Sequence, residues 1–225
     1  MPNRNAVIPS DRNTFVATTV ERSSGRERGP WGLVRAWIAV LIRPRRFFRR
    51  AVSPGDQAPG LTFAVVIAAV YALGWMAVAP GAIPGIAESA ILSATVVLLV
   101  VIALAAPVGL HLTAAVATVS LVVASLERRD GDGLRDRIGF RDRGGVSETV
   151  QIVAYASAPM ALAGPPIPAL RIACAAYATL LLLVGIRTVH GTTLLRTLVA
   201  GVPPALVGYG VGYRAVAAAR SVLGG

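Results

Sequence analysis

The 225-residue chain contains no lysine and only one cysteine, and charged residues make up just 15% of it. All 22 basic residues are therefore arginines, which excludes the lysine-dependent phosphate-binding loop of nucleotide hydrolases. The single cysteine, Cys174, can form neither an intrachain disulfide nor a multi-cysteine metal site. Its apolar surroundings predict a small packing residue. Soluble domains usually carry about 25% charged residues, so the shortage of charge points away from that class.

Motifs for catalysis and for metal binding are also absent from the sequence. It contains no His-Glu-x-x-His pattern and no Gly-x-Ser-x-Gly elbow. Residues 89–126, which include His111, contain no aspartate or glutamate, so a metal site there is not expected. We therefore expect a protein that is not an enzyme and that uses no cofactor.

Long apolar runs are abundant. Residues 61–79 form a run of 19 residues without a charge, and residues 90–126 form one of 37. A helix needs about 20 mostly apolar residues to cross roughly 30 Å of hydrocarbon. The sequence therefore predicts an all-α fold, a polytopic membrane helix bundle. The five predicted transmembrane helices are 61–79, 90–126, 148–163, 169–189 and 193–213.

The run at 90–126 has two readings. As one helix it would be about 55 Å long, and as two helices it would turn tightly near Pro107. Arginines cluster both at 43–50 and at 128–143, and both groups are expected in the cytoplasm. An even number of crossings must then separate them. This favours one long helix kinked at Pro107, a cytoplasmic amino terminus, and a carboxyl terminus outside, with its tail along the last helix.

The amino-terminal part divides into a polar tail at 1–29, expected to be disordered, and a segment at 30–52. In this segment an amphipathic stretch precedes a cluster of arginines, which suits an interfacial helix followed by a basic elbow. The alternative is a solvated basic loop. The residues expected to contact the membrane surface and anionic lipid headgroups are Trp31, Trp37, Arg43, Arg45, Arg46, Phe47, Phe48, Arg49 and Arg50. Contact between these arginines and anionic lipid explains the sequence pI of about 11.4, so no nucleic-acid partner is expected.

A few polar residues fall inside the expected membrane domain at 53–213, which a short tail at 214–225 follows. Ionisable groups at membrane depth are functional candidates by default, so His111 is one. Gln151 and Tyr155 lie four residues apart, on one face of a helix that Ser147 is expected to cap. His111, Gln151 and Tyr155 are therefore a candidate polar cluster within the membrane. The alternative is ordinary hydrogen bonding between helices.

Several short motifs follow one another along the chain: Arg43-Pro44-x-x-Phe47-Phe48, Pro54-Gly55-Asp56-Gln57-Ala58-Pro59-Gly60, Ala106-Pro107-x-x-Leu110-His111-Leu112, and Gly144-Gly145-x-Ser147-x-Thr149 followed by Ala154-Tyr155-Ala156-x-x-Pro159. Their order resembles the Yip family of Ypt- and Rab-interacting membrane proteins, in its prokaryotic, haloarchaeal-type branch. The resemblance covers roughly residues 31–213 and implies an all-helical membrane domain. In eukaryotes it also implies trafficking partners, notably small GTPases, but no GTPase-binding surface is visible in this sequence.

Two classes of function remain open. The first is a multi-pass protein of the cell membrane with a non-catalytic role in organising the membrane or binding a partner. Its partners would be the lipid bilayer, anionic headgroups, and a membrane protein or a second copy of the chain. The second is a small transporter or permease-like subunit, which His111 and the proline-broken helices suggest. A water-filled cavity joining His111, Gln151 and Tyr155 would favour transport, whereas a dry interface would favour organisation.

Overall fold

The computed structural model describes residues 29–126 and 145–224, and every regular element within them is a helix. The chain divides into two compact units, residues 1–36 and 37–225. Of the first unit, the described residues 29–36 include the start of helix α1 (Pro30–Ile42). The expected tail at 1–29, apart from Gly29, and the expected loop at 127–145, apart from Gly145, lie outside the described residues.

The segment at 30–52 folds as two helices in succession. Helix α1 ends at Ile42, and helix α2 (Pro44–Ala51) begins at the proline. Proline lacks an N–H and fixes φ near −65°, so it fits the first position of a helix and interrupts a preceding one. The helical segment is therefore interrupted at Pro44. A turn that contains Gly55, with φ +80°, then leads into helix α3 (Ala58–Val78).

Four helical stretches of the described chain are long and apolar enough to cross a membrane. They are Ala58–Val78, Ala90–Ala124, Pro168–His190 and Leu194–Gly212. Each corresponds to one of the predicted spans, and the expected polytopic helical architecture is confirmed.

The predicted span at 148–163 does not match any of these four stretches. It consists of helix α6 (Val146–Ala156) and a 3-10 helix (Ala158–Ala163), separated at Ser157. Pro159 cannot donate the backbone hydrogen bond that would continue the α-helix. Residues 148–156 are all buried, so this element packs inside the bundle. Gly145, rather than the expected Ser147, is the N-cap of α6.

Residues 90–126 form one continuous helical stretch. It comprises α4 (Ala90–Val100), a π-helical turn (Val101–Ala105) and α5 (Ala106–Leu126). The irregularity precedes Pro107, and the N–H of Ala106 bonds to the carbonyl of Val101. A π turn is a common way for a helix to absorb an interruption in its hydrogen-bond ladder.

The remaining helices complete the bundle. Helix α7 (Pro168–His190) is followed by α8 (Leu194–Ala205), a second π segment (Leu206–Gly212) and α9 (Ala215–Leu223). Helix α8 packs most extensively against α5, and α9 packs against α7 and the second π segment. At the crossing with α5, a Cβ on Gly208 would lie 2.8 Å from Cγ2 of Thr113, so the two backbones approach closely there. Cys174 is buried in α7, as expected of a packing residue.

Candidate functional site

Helix α2 has two chemically distinct faces. Phe48 is completely buried, with 0% of its surface exposed, and Phe47 is half-buried. The arginines at the start of α2 and along its other face are all exposed: Arg43, Arg45, Arg46, Arg49 and Arg50. We call residues 43–51 the basic elbow. Its arrangement fixes the aromatic side chains in the protein and leaves the cationic groups available.

Phe48 inserts against α6 and α7. A Cβ on Gly185 of α7 would lie 3.1 Å from Cζ of Phe48 and 2.6 Å from Cγ2 of Ile152 in α6. Only glycine leaves room for both side chains at that point. The absence of a side chain at Gly185 therefore permits this docking of the elbow.

A row of aromatic rings continues from the elbow into the bundle. Phe47 meets Tyr155 of α6 edge-to-face, with ring centroids 4.9 Å apart. Tyr155 in turn contacts Phe63 of α3, with centroids 5.1 Å apart. Such pairs contribute about 0.5–1.5 kcal/mol beyond the area they bury. The row ties α2, α6 and α3 together.

Gln151 of α6 holds the chain just after the elbow. Its Oε1 accepts the N–H of Ser53 at 3.2 Å, and its Nε2 donates to the carbonyl of Ser53 at 2.7 Å. The side chain is only 1% exposed. A Cβ on Gly60 would lie 3.2 Å from Cα of Gln151, so α3 crosses α6 closely here. Gln151 thus acts as a clamp on the backbone between α2 and α3.

Two further hydrogen bonds attach the end of α1. The indole N–H of Trp37 donates to the carbonyl of Ala158 at 2.8 Å, and the hydroxyl of Tyr177 donates to the carbonyl of Leu41. Trp37, which was expected at headgroup depth, therefore has its polar group bonded within the protein. Trp31, in the first unit, is 76% exposed.

His111 lies apart from Gln151 and Tyr155. It is exposed on α5, and its Nδ1 is 2.7 Å from the carbonyl oxygen of Pro107. A carbonyl can only accept, so Nδ1 carries a proton. The structure brings together Gln151, Tyr155 and the phenylalanines of the elbow, whereas His111 faces outward.

Sequence reasoning missed two groups of buried polar residues. Near the start of α6, Glu148 and Thr149 are buried, and the hydroxyl of Thr149 lies 3.3 Å from Nε2 of the buried His190. The second group centres on Arg171, which is only 7% exposed. The sequence contains a signal for each group. Polar residues are crowded at the start of the apolar run that forms α6, and Arg171 lies between two apolar runs.

The guanidinium of Arg171 binds the end of the 3-10 helix. Its Nε donates to the carbonyl of Ala163 at 3.1 Å, and its Nη2 donates to that of Gly164 at 2.9 Å. Its Cζ lies 5.6 Å from the centre of the Tyr71 ring. Within 29–126 and 145–224, no group of three His, Cys, Asp or Glu residues could hold a metal ion.

Comparison with known proteins identifies the family. A family model described as the Yip1 domain matches residues 38–214. No curated protein and no solved structure matches the chain. The matched region begins within α1, contains the basic elbow and the four described stretches that are long enough to span a membrane, and ends just before α9. The chain is therefore a membrane protein with several spans that belongs to the Yip1-domain family.

Proposed function

We propose that this protein acts without catalysis at the cell membrane, where its basic elbow binds anionic headgroups of the cytoplasmic leaflet and so organises lipid or a membrane partner around the bundle. The observation that carries the proposal is the two-sided construction of α2. Five exposed arginines stand on a helix whose phenylalanines are fixed in the bundle. The amino terminus then lies in the cytoplasm, where positively charged flanks of membrane helices are retained.

The arginines of the basic elbow would contribute an appreciable electrostatic free energy to binding at an anionic membrane surface. Each arginine near an anionic bilayer surface contributes about 1 kcal/mol, and the contribution falls off over a Debye length. Because the hydrogen bonds of Gln151 and the packing of Phe48 already order the elbow, binding costs little additional backbone entropy. A fixed cationic surface of this kind suits recognition of anionic lipid better than a disordered basic loop does.

The transporter alternative receives less support. Both ends of the Gln151 amide bond to the backbone of Ser53, and Tyr155 packs between aromatic rings. His111 faces outward and takes no part in these contacts. Gln151 and Tyr155 are both buried and make direct contacts between elements of the bundle, which favours organisation.

The test measures lipid selectivity of the full-length protein in bilayers of phosphatidylcholine and phosphatidylglycerol. Electron paramagnetic resonance of spin-labelled lipids reports which lipid the protein immobilises. Replacing Arg43, Arg45, Arg46, Arg49 and Arg50 by Gln should lower the preference for phosphatidylglycerol severalfold, and added salt should lower the wild-type preference.

Two controls separate charge from structure. The same five positions changed to Lys should largely retain the preference, and Arg220→Gln, an exposed arginine of α9, should leave most of it intact. If the five-glutamine variant folds and still selects phosphatidylglycerol as well as the wild type does, the elbow does not bind headgroups and the proposal fails.

A further inference from the structure

Arg171 lies far along the bundle from the basic elbow. Its ring partner, Tyr71, is 13 residues after Ala58 in α3, which corresponds to about 20 Å along the helix. Ala58 follows the turn that Gln151 clamps through Ser53. The two cationic regions therefore belong to opposite ends of the bundle.

The charge of Arg171 is buried without an acidic partner. Among the residues described, no carboxylate forms a salt bridge with it, and its hydrogen bonds go to the carbonyls of Ala163 and Gly164. Removing a charged group from water is unfavourable unless the charge is compensated. The two carbonyls and the face of the Tyr71 ring compensate for part of it, but they occupy only Nε and Nη2. Within the described part of the chain no acceptor is bonded to Nη1, so its N–H groups can donate to an anion.

A second arginine stands close to the same tyrosine. The hydroxyl of Tyr71 donates to the carbonyl of Tyr213 at 3.1 Å, and the next residue is Arg214. The side chain of Arg214 is exposed. One cation is therefore fixed inside the bundle against the Tyr71 ring, and the other is an exposed residue that directly follows the carbonyl bound by the Tyr71 hydroxyl.

The backbone of Arg214 adds an independent observation. Its φ is +62°, and it is the one residue other than glycine with a positive φ in the described segments. This left-handed conformation is strained for a residue with a Cβ and is free of strain for glycine. Strained residues cluster at ligand-binding positions, where the side chain has a role that glycine cannot fill.

We propose that Arg171 and Arg214 form a binding site for a phosphate group at the end of the bundle opposite the basic elbow. The planar fork of a guanidinium matches the oxygens of a phosphate and donates paired charge-assisted hydrogen bonds. A phospholipid headgroup and a soluble phosphate share this chemistry. The site compensates the buried charge of Arg171 when it is occupied.

The test uses the full-length protein purified in a maltoside detergent, which contains no phosphate. Three probes are titrated: short-chain phosphatidic acid, inorganic phosphate, and a diacylglycerol with the same chains but no phosphate. Calorimetry gives the affinity, and the melting temperature reports stabilisation of the folded state. Phosphatidic acid should bind and raise the melting temperature, whereas diacylglycerol should do neither. Stabilisation by inorganic phosphate as well would identify a soluble anion as sufficient, whereas its absence would identify the lipid headgroup, and both results support the site.

Two variants decide the outcome. Arg214→Gly relieves the strained φ and should leave the ligand-free melting temperature unchanged or higher, yet weaken phosphatidic acid binding by roughly tenfold or more. Arg171→Lys, which keeps the charge and removes the fork, should also weaken binding. Arg220→Gln in the neighbouring α9 should leave the affinity unchanged. Equal affinity of the wild type and Arg214→Gly, or equal binding of diacylglycerol and phosphatidic acid, would overturn the proposal.

Discussion

At the scale of single residues, the polar side chains in this protein mostly bond to backbone groups. Gln151 binds Ser53, Trp37 binds Ala158, and Arg171 binds Ala163 and Gly164. Each contact joins segments that hydrophobic packing alone would position loosely. This matters within a membrane, because lipid offers apolar side chains no less favourable a surface than a neighbouring helix does.

The clamp at Gln151 should therefore be sensitive to replacement. Gln151→Leu keeps the approximate volume but removes both hydrogen bonds between this side chain and the backbone of Ser53. Loss of a buried hydrogen-bond partner costs about 1–3 kcal/mol, so we expect the free energy of unfolding to fall by about that amount. Thr118→Val is the control, because the described bond of that hydroxyl goes to the carbonyl of Ala114 in its own helix. An equal effect of the two variants in denaturant titrations would show that the clamp has no special importance.

Gly185 gives a steric prediction at the same scale. The Cβ introduced by Gly185→Ala would lie 2.6 Å from Ile152 and 3.1 Å from Phe48, and both of these side chains are fully buried. Overpacking of this kind typically costs about 1–3 kcal/mol. At Gly109 of α5 nothing lies within 4 Å of an added Cβ, so Gly109→Ala should instead stabilise the helix by about 0.5–1 kcal/mol. A lower melting temperature for Gly185→Ala and a higher one for Gly109→Ala would support this prediction. Changes of the same sign in both variants would contradict it.

For the secondary-structure elements, the sequence indicated which segments are apolar helices more clearly than whether lipid or protein surrounds each of them. Hydropathy measures whether a segment avoids water, and it does not distinguish lipid from protein as the neighbour. Helix α6 was therefore predicted as another span, although its first turns contain Glu148, Thr149 and Gln151, all buried in the structure. The same limit applies to the elbow, where composition predicted contact with lipid but could not predict that Gly185 opens a place for Phe48.

The attachment of α2 can be tested by proteolysis. Trypsin cleaves after arginine but requires locally unfolded chain, so the exposed arginines of the elbow should resist cleavage while α2 stays docked. Phe48→Ala removes a fully buried ring, a change that typically costs about 3–5 kcal/mol, and should release the elbow and speed cleavage there. Ile42→Ala, at an exposed position of α1, should leave the cleavage rate nearly unchanged. Equal rates for Phe48→Ala and the wild type would mean that Phe48 does not anchor the elbow.

At the scale of the whole molecule, the distribution of arginines predicts how the bundle crosses the membrane. The basic elbow precedes α3, and Arg187 and Arg196 bracket the turn between α7 and α8. The positive-inside rule predicts that both of these regions lie in the cytoplasm. Helix α6 lies against Gly60 near the start of α3, and Gly164, just after the 3-10 helix, lies against Gly74 near its end, so this element carries the chain through the inside of the bundle. The turn between α3 and α4 and the proline-rich turn before α7 then face outward.

Cysteine labelling tests this orientation in intact cells. In a Cys174→Ala background, single cysteines replace Ala87 between α3 and α4, Pro166 before α7, and Thr193 before α8. A reagent that cannot cross the membrane should label positions 87 and 166 from outside, whereas position 193 should react only after the membrane is opened. Pro166 and Thr193 are exposed, so failure of either to react would reflect sidedness rather than burial. Labelling of position 193 from outside, with position 166 protected, would show that the bundle has the opposite orientation to the predicted one. The basic elbow would then face away from the anionic cytoplasmic leaflet, and its proposed role would be lost.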